Sequence, residues 1–249
     1  MPAATACSSP IESLATRSAV YSLLAHAFAY PDGERVEAIR ALAAEVTAAG
    51  LASPVTGLAM RAAGVTATEL EPEYVGLCTL SSSPDCPTFE TAYFSSDPIQ
   101  QTTRMADIAG FYRAFGVDAT SGGVRPDDLP VELEFMSFLC QKEAYAAEHL
   151  GAPRVKQAAR AQRMFLGEHL GRWGAAFGRR IAGRATPGSF YQVAGLALAA
   201  WIGDECAQLG VHPEEVTGEP AVGWGTPIGH GPEFAGPATL VPLEDIEVR

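Results

Sequence analysis

No two cysteines in this sequence are spaced as a C-x-x-C pair. The five present (Cys7, Cys78, Cys86, Cys140 and Cys206) are scattered and odd in number. That pattern excludes a disulfide framework and a cysteine-built zinc site, and it fits thiols kept reduced in a cytoplasm. Positive charge is also short: 17 Lys and Arg face 29 Asp and Glu, for a net charge of −12. Such a balance argues against nucleic acid or an anionic membrane surface as partner, and it suits a basic peptide. Long apolar runs are missing too. The most apolar stretch, 193–202, is about half of the ~20 residues needed to span a bilayer. The N-terminal MPAATACSSPIE has no basic region followed by an apolar one, so no signal peptide is expected. β-Branched residues are sparse beside alanine, which favours helix over sheet.

Catalytic signatures are equally scarce. No GxSxG, Walker-type or GxGxxG element stands in a strand–turn–helix setting. The histidines His26, His149, His169, His212 and His230 stand apart, without the HxxxH or ExxH pairing of a helical metal site. Neither a metal nor a cofactor is therefore expected. Cys86 falls in an exposed-looking loop and could be a reactive thiol. No histidine neighbours it in sequence, and an ordinary free cysteine is the simpler reading.

What the chain does contain is helical periodicity, centred on residues 104–143. Met105, Ile108, Tyr112 and Phe115 recur at spacings of three and four, and Gly116 follows where a helix would end. A loop over 117–125 carries Gly122-Gly123. Pro126, Asp127, Asp128 and Pro130 then supply the chemistry of a new helix start, with Leu129, Leu133, Met136, Leu139 and Cys140 as its apolar stripe. Upstream, Ser9-Pro10-Ile11-Glu12 reads as a capping box. Behind it Ile11, Leu14, Tyr21, Leu24 and Phe28 predict an amphipathic helix. Further helices are expected over 34–49, after Ser53-Pro54, and from Thr68 with Leu70, Tyr74 and Leu77. The turn-rich 81–87 breaks the pattern, Phe89, Glu90 and Tyr93 close that loop, and Asp97-Pro98 start the central helix. Downstream, 153–182 reads as helical, and Thr186-Pro187 are expected to cap a last helix through Leu209, ended by Gly210. After Val211, six prolines and six glycines alternate with short polar pieces, and no Lys or Arg precedes Arg249. The expected architecture is all-α, a single bundle of eight to ten helices over 1–210 with an extended or disordered Pro/Gly tail over 211–249.

Several residues admit two readings. The basic 153–184 stretch (Arg154, Lys156, Arg160, Arg163, Arg172, Arg179, Arg180 and Arg184) is a solvated helix face, or a seat for an acidic partner or a phosphate-bearing cofactor. Tyr112 and Phe115 are most simply core, whereas Phe111 lies off the main stripe and is a better candidate for a groove. Asp127 and Asp128 read as helix caps, or as carboxylates for the arginine of a bound peptide; the two roles are compatible.

Four stretches together resemble the TorD/DmsD/NarJ family of redox-enzyme maturation chaperones. These are RSAVYSLLAHAFAYPD, LEPEYVGLCTL with CPTFETAY, MADIAGFYRAFG, and RPDDLPVELEFMSFLCQKE, in order over roughly 17–143. The wording of the third, with Cys-Pro before Phe89-Glu90, looks most like the subgroup serving type II dimethyl sulfoxide reductase-like molybdoenzymes. The resemblance implies an all-helical cytoplasmic chaperone without catalytic activity or cofactor. Such a chaperone binds the apo catalytic subunit and its twin-arginine signal peptide, and delays export until the molybdenum cofactor is inserted. It implies a monomer or homodimer, no nucleic acid and no stable membrane insertion. Carried onto this chain, the peptide-facing candidates are Pro126, Asp127 and Asp128, with Gly116, Phe115 and Glu132 shaping the site and Phe111, Glu90 and Tyr93 beside it. Where the family usually has histidine, position 128 is aspartate, which suits an arginine ligand and removes a titratable ring. The alternatives are a nitrate reductase-type assembly factor for a non-exported apoenzyme, and a small helical nucleotide- or cofactor-binding protein.

Overall fold

A computed structural model describes residues 10–51, 54–78, 86–119, 125–217, 220 and 240–242. Ser9 of the capping box, Cys7, the Gly122-Gly123 loop and most of the 211–249 segment lie outside the described residues. Nine α-helices are present among those described: α1 (Pro10–Ala27), α2 (Gly33–Ala48), α3 (Pro54–Ala62), α4 (Ala67–Cys78), α5 (Pro98–Ala114), α6 (Leu129–His149), α7 (Ala152–Glu168), α8 (Leu170–Arg184) and α9 (Phe190–Leu209). A 3-10 turn, Glu90–Tyr93, precedes α5. Two three-residue strands, β1 (Val117–Ala119) and β2 (Leu240–Pro242), pair antiparallel. The all-α expectation holds.

Local chemistry accounts for most boundaries. Asp32 accepts from the Arg35 N–H to start α2, and Asp97 accepts from the Ile99 N–H to start α5. Gly210, with φ 65°, closes α9 in the left-handed region. The apolar stripes then dictate packing: α1 lies on α6 and α2, α9 lies on α8 and α3, and α7 covers α6. Tyr21 and Leu24 of α1 and Phe28 just after it are fully buried, as are Leu129, Leu133, Met136, Leu139 and Cys140 of α6. Trp173, Phe165 and Phe177 fill the space between α7, α8 and the centre.

Four sequence expectations require correction. The 153–182 helix is two helices. It breaks at His169, whose φ and ψ of −128° and −101° leave the helical region. The break was hidden because Phe165 and Trp173 face the same core on either side of it. Gly171 permits the tight joint, since a Cβ there would lie 2.3 Å from the Leu166 carbonyl oxygen. The last helix starts at Phe190 and not after Thr186-Pro187. Ser189 caps it, and the Thr186 N–H is already given to Glu73 Oε1 at 2.9 Å. Residues 117–119, expected as loop, form β1. Finally, Cys86 is fully buried, so it is not an exposed thiol.

The core also holds a polar centre. Arg17 donates from Nε and Nη2 to Glu205 at 2.8 and 2.6 Å, and from Nη2 to Gln162 at 2.7 Å. Tyr21 adds its hydroxyl to Glu205 at 2.9 Å. This network ties α1, α7 and α9 together inside the bundle, where every member needs its partner.

Candidate functional site

The residues singled out in sequence do come together, but largely as an interior. Asp127 is fully buried. Its carboxylate accepts from the Thr91 N–H at 3.1 Å and the Thr91 hydroxyl at 2.7 Å, and it pairs with Arg125 Nε at 2.9 Å. Arg125 in turn reaches Thr91 Oγ1 and lies over the Phe89 ring. Main-chain bonds repeat the same seam: the Glu90 N–H donates to the Asp127 carbonyl, and the Leu129 N–H to the Thr88 carbonyl. Tyr112 closes it from α5 by donating its hydroxyl to the Pro126 carbonyl at 2.7 Å. Asp128, also buried, occupies the N-cap position of α6 without a side-chain capping bond. Residues 126–128 thus clamp the 3-10 turn to the start of α6.

Behind the clamp lies a second buried cluster. Glu90 pairs with Arg104 and accepts from His169 Nδ1, which lies 3.2 Å from Oε2. Trp173 Nε1 donates to Glu132 Oε2 at 3.1 Å. Burial would push Glu90 up, but the hydrogen bond and charge of His169, with Arg104, bring it below the usual carboxylate range. Glu132 moves the other way. Burial first, then the negative charge of Glu90, hold it well above that range. Tyr93 packs on Trp173 and bonds the Pro87 carbonyl. None of these groups is arranged as a nucleophile–base pair. Their joint effect is to fix the angle between α5, α6 and the α7–α8 joint.

The surface above this scaffold is a cleft of about 780 Å³. Its wall along α5 is Arg104, Asp107 and Phe111, and its far side is Glu168, His169 and Arg172, with Glu214 from the segment after α9. Asp107, Glu168 and Glu214 are exposed, whereas Phe111 is half-buried, edge-on to Phe165 and His169. The two cationic residues of the wall are already engaged. Arg104 is bound to Glu90 and stacked on Phe94, and Arg172 is stacked on the same ring with Glu214 at 3.9 Å. A smaller hollow of about 270 Å³ shares Arg104 and Asp107 and extends the cleft to Phe94 and the exposed Ile99. An aromatic floor with carboxylates on the rim can receive a chain that presents both arginine and apolar side chains.

Phe111 therefore stands at a groove, as its off-stripe position suggested. Phe115 is half-buried against Phe135, and Gly116, with φ 79°, turns the chain from α5 into β1. Sequence reasoning missed Asp107, Glu168 and Glu214. Asp107 precedes Phe111 by one helical turn, a spacing that put both on one face and was the available signal. On α7, Arg154, Lys156, Arg160 and Arg163 are exposed along one solvated surface. Among the described residues no group of three or more His, Cys, Asp or Glu could hold a metal ion, and no helix is long and apolar enough to cross a membrane.

Residues 40–179, from α2 into α8, match the family described as nitrate reductase delta subunit. The perchlorate reductase assembly chaperone protein of Dechloromonas aromatica (strain RCB) is 33% identical over 177 residues, covering 66% of this chain and 76% of that protein. A solved structure of a candidate redox enzyme maturation protein from Archaeoglobus fulgidus is 20% identical. It covers 59% of this chain and 93% of its own, with a TM-score of 0.40. The chain belongs to the nitrate reductase delta subunit family.

Proposed function

We propose that this protein is a cytoplasmic, system-specific chaperone for the apo catalytic subunit of a molybdoenzyme of the perchlorate and nitrate reductase type, within the type II dimethyl sulfoxide reductase-like group. It binds that subunit together with its twin-arginine signal peptide, and holds it from export while the molybdenum cofactor is inserted. The observation that carries this reading is the cleft, where Asp107, Glu168 and Glu214 ring the half-buried Phe111. A leader of this kind presents arginines followed by an apolar stretch, and the cleft offers a partner for each. Pro126, Asp127, Asp128, Glu132, Glu90 and Tyr93 support the site from below, Phe111 lines it, and Phe115 packs on Phe135 behind it. The 33% identity to a perchlorate reductase assembly chaperone supports the client class.

The test is capture of the client from native cytoplasm by the tagged full-length chain, with the bound protein identified by mass spectrometry. Recovery of one large molybdoenzyme subunit, lost when its leader is deleted, is the expected result. Equal recovery without the leader would replace this reading with an assembly factor that recognises the enzyme body alone.

A further inference from the structure

The segment after α9 returns to the domain twice. Residues 211–217 run along α8, where the Val216 N–H donates to the Arg172 carbonyl, Arg179 pairs with Glu215, and Glu214 completes the cleft. The second return is β2, which pairs with β1 in the register Val117↔Pro242, Asp118↔Val241 and Ala119↔Leu240. A ribbon of three residues per strand has little stability of its own, and Pro242 brings no N–H to it. Among the described residues, an apolar contact and a hydrogen bond add to that ladder. Leu240 packs, partly buried, against the core, and its N–H donates to Glu134 Oε2 on α6 at 3.2 Å.

That hydrogen bond is informative. Glu134 is largely removed from water, and burial raises its carboxyl to about 7, with the Leu240 N–H acting in the opposite direction. That carboxylate takes a main-chain N–H from the extended segment lying beside β1. Because the Leu240 N–H faces Glu134, the Ala119–Leu240 pair is the non-hydrogen-bonded kind and Asp118–Val241 the bonded one. The site therefore asks three things of its occupant: extended backbone, an N–H for Glu134, and an apolar side chain at the Leu240 position. Leu-Val-Pro meets them as an apolar triplet within a Pro/Gly-rich tail. Its location is equally specific. Ala114 lines the cleft, and β1 begins three residues later.

We propose that β1 with Glu134 is an acceptor for the apolar stretch of the client leader, bound as an added strand, and that β2 is the resident stand-in it displaces. The proposal rests on the leader reading given under Proposed function. With leader arginines among Asp107, Glu168 and Glu214, the residues that follow pass the end of α5 and take the place of 240–242. Main-chain pairing supplies affinity without demanding one side-chain sequence, which is how strand addition accommodates varied peptides.

The experiment uses the full chain carrying Ala119→Cys and Leu240→Cys, compared oxidised and reduced, beside Leu240→Asp, which puts a second carboxylate at Glu134. Cross-strand cysteines at a non-hydrogen-bonded pair satisfy disulfide geometry; Cys78, Cys86, Cys140 and Cys206 are buried away from the exchange, and Cys7 is replaced by serine in every variant. Two labelled probes are titrated by fluorescence anisotropy: a synthetic twin-arginine leader from the captured client, and a synthetic peptide of residues 236–246 of this chain. The oxidised form is expected to bind leader at least roughly tenfold more weakly than the reduced form, as when the competent state is nearly removed. Leu240→Asp is expected to bind both probes, each displacing the other, and to bind leader more tightly than the natural chain. Leader binding that is equal in the oxidised and reduced forms would overturn the proposal while leaving the leader reading intact. Leader bound by no form, with the 236–246 peptide still taken up by Leu240→Asp, would overturn the leader reading and its occupancy of β1 together. Circular dichroism of each variant separates loss of binding from loss of fold.

Discussion

At Asp127 the distinction between a binding carboxylate and a structural one is made by its neighbours. An exposed aspartate facing a client arginine could be replaced with little effect on folding. Asp127 instead has no exposed surface, pairs with Arg125, and satisfies both the N–H and the hydroxyl of Thr91. Removing it strands a mostly buried guanidinium and two polar groups at once. Asp127→Ala is therefore expected to cost about 3–5 kcal/mol in urea-induced unfolding, the range for breaking one partner out of a buried pair. Leader binding by the fraction that remains folded should then be lost only through the disturbed seam between the 3-10 turn and α6. An Asp127→Ala protein with natural stability and weakened leader binding would show that the carboxylate faces the client after all.

Between elements, α8 and α9 approach each other closely along their backbones. A Cβ on Gly195 would lie 2.5 Å from the Gly178 carbonyl oxygen and 2.7 Å from Ile181 Cγ2, and one on Gly178 would lie 2.6 Å from the Gly195 carbonyl oxygen. The two backbones thus touch, and the helix bearing Arg172 and Trp173 is set by that contact. Gly195→Ala must push α8 outward, at an expected cost of about 1–3 kcal/mol for overpacking, even though alanine is the better helix former. Gly203, on the same helix, meets nothing within 4 Å of a built Cβ. Gly203→Ala is the control and should be neutral or stabilising by up to about 1 kcal/mol, as helix propensity dictates. Parallel denaturation curves for the two variants decide it; equal curves would mean that α8 and α9 have slack the distances do not show.

For the molecule as a whole, the helices were legible because each stripe and cap is a local statement: Asp97-Pro98 before α5, Gly210 after α9. The joint at His169 was not, because its cause is a tertiary bond to Glu90, 79 residues away. The cleft was half legible. Phe111 announced itself by leaving the core stripe, but Asp107, Glu168 and Glu214 are brought together only by the fold. The loop aspartates misled in the opposite sense, since hydrophilic residues at a helix start look exposed until Arg125 and Thr91 close over them. This placement of charge has a kinetic consequence. A chain of net charge −12, with three exposed carboxylates around one groove, should draw an arginine-bearing leader by long-range attraction. Raising ionic strength from low to about 0.5 M shortens the Debye length to well under 10 Å, so the association rate is expected to fall by roughly tenfold or more while dissociation changes little. Asp107→Asn with Glu168→Gln should flatten that salt dependence and leave unfolding untouched, since both side chains are exposed. Stopped-flow association at a series of salt concentrations measures the slope directly. An unchanged slope in the double variant would move the arginine contacts away from this cleft, whatever the affinity turned out to be.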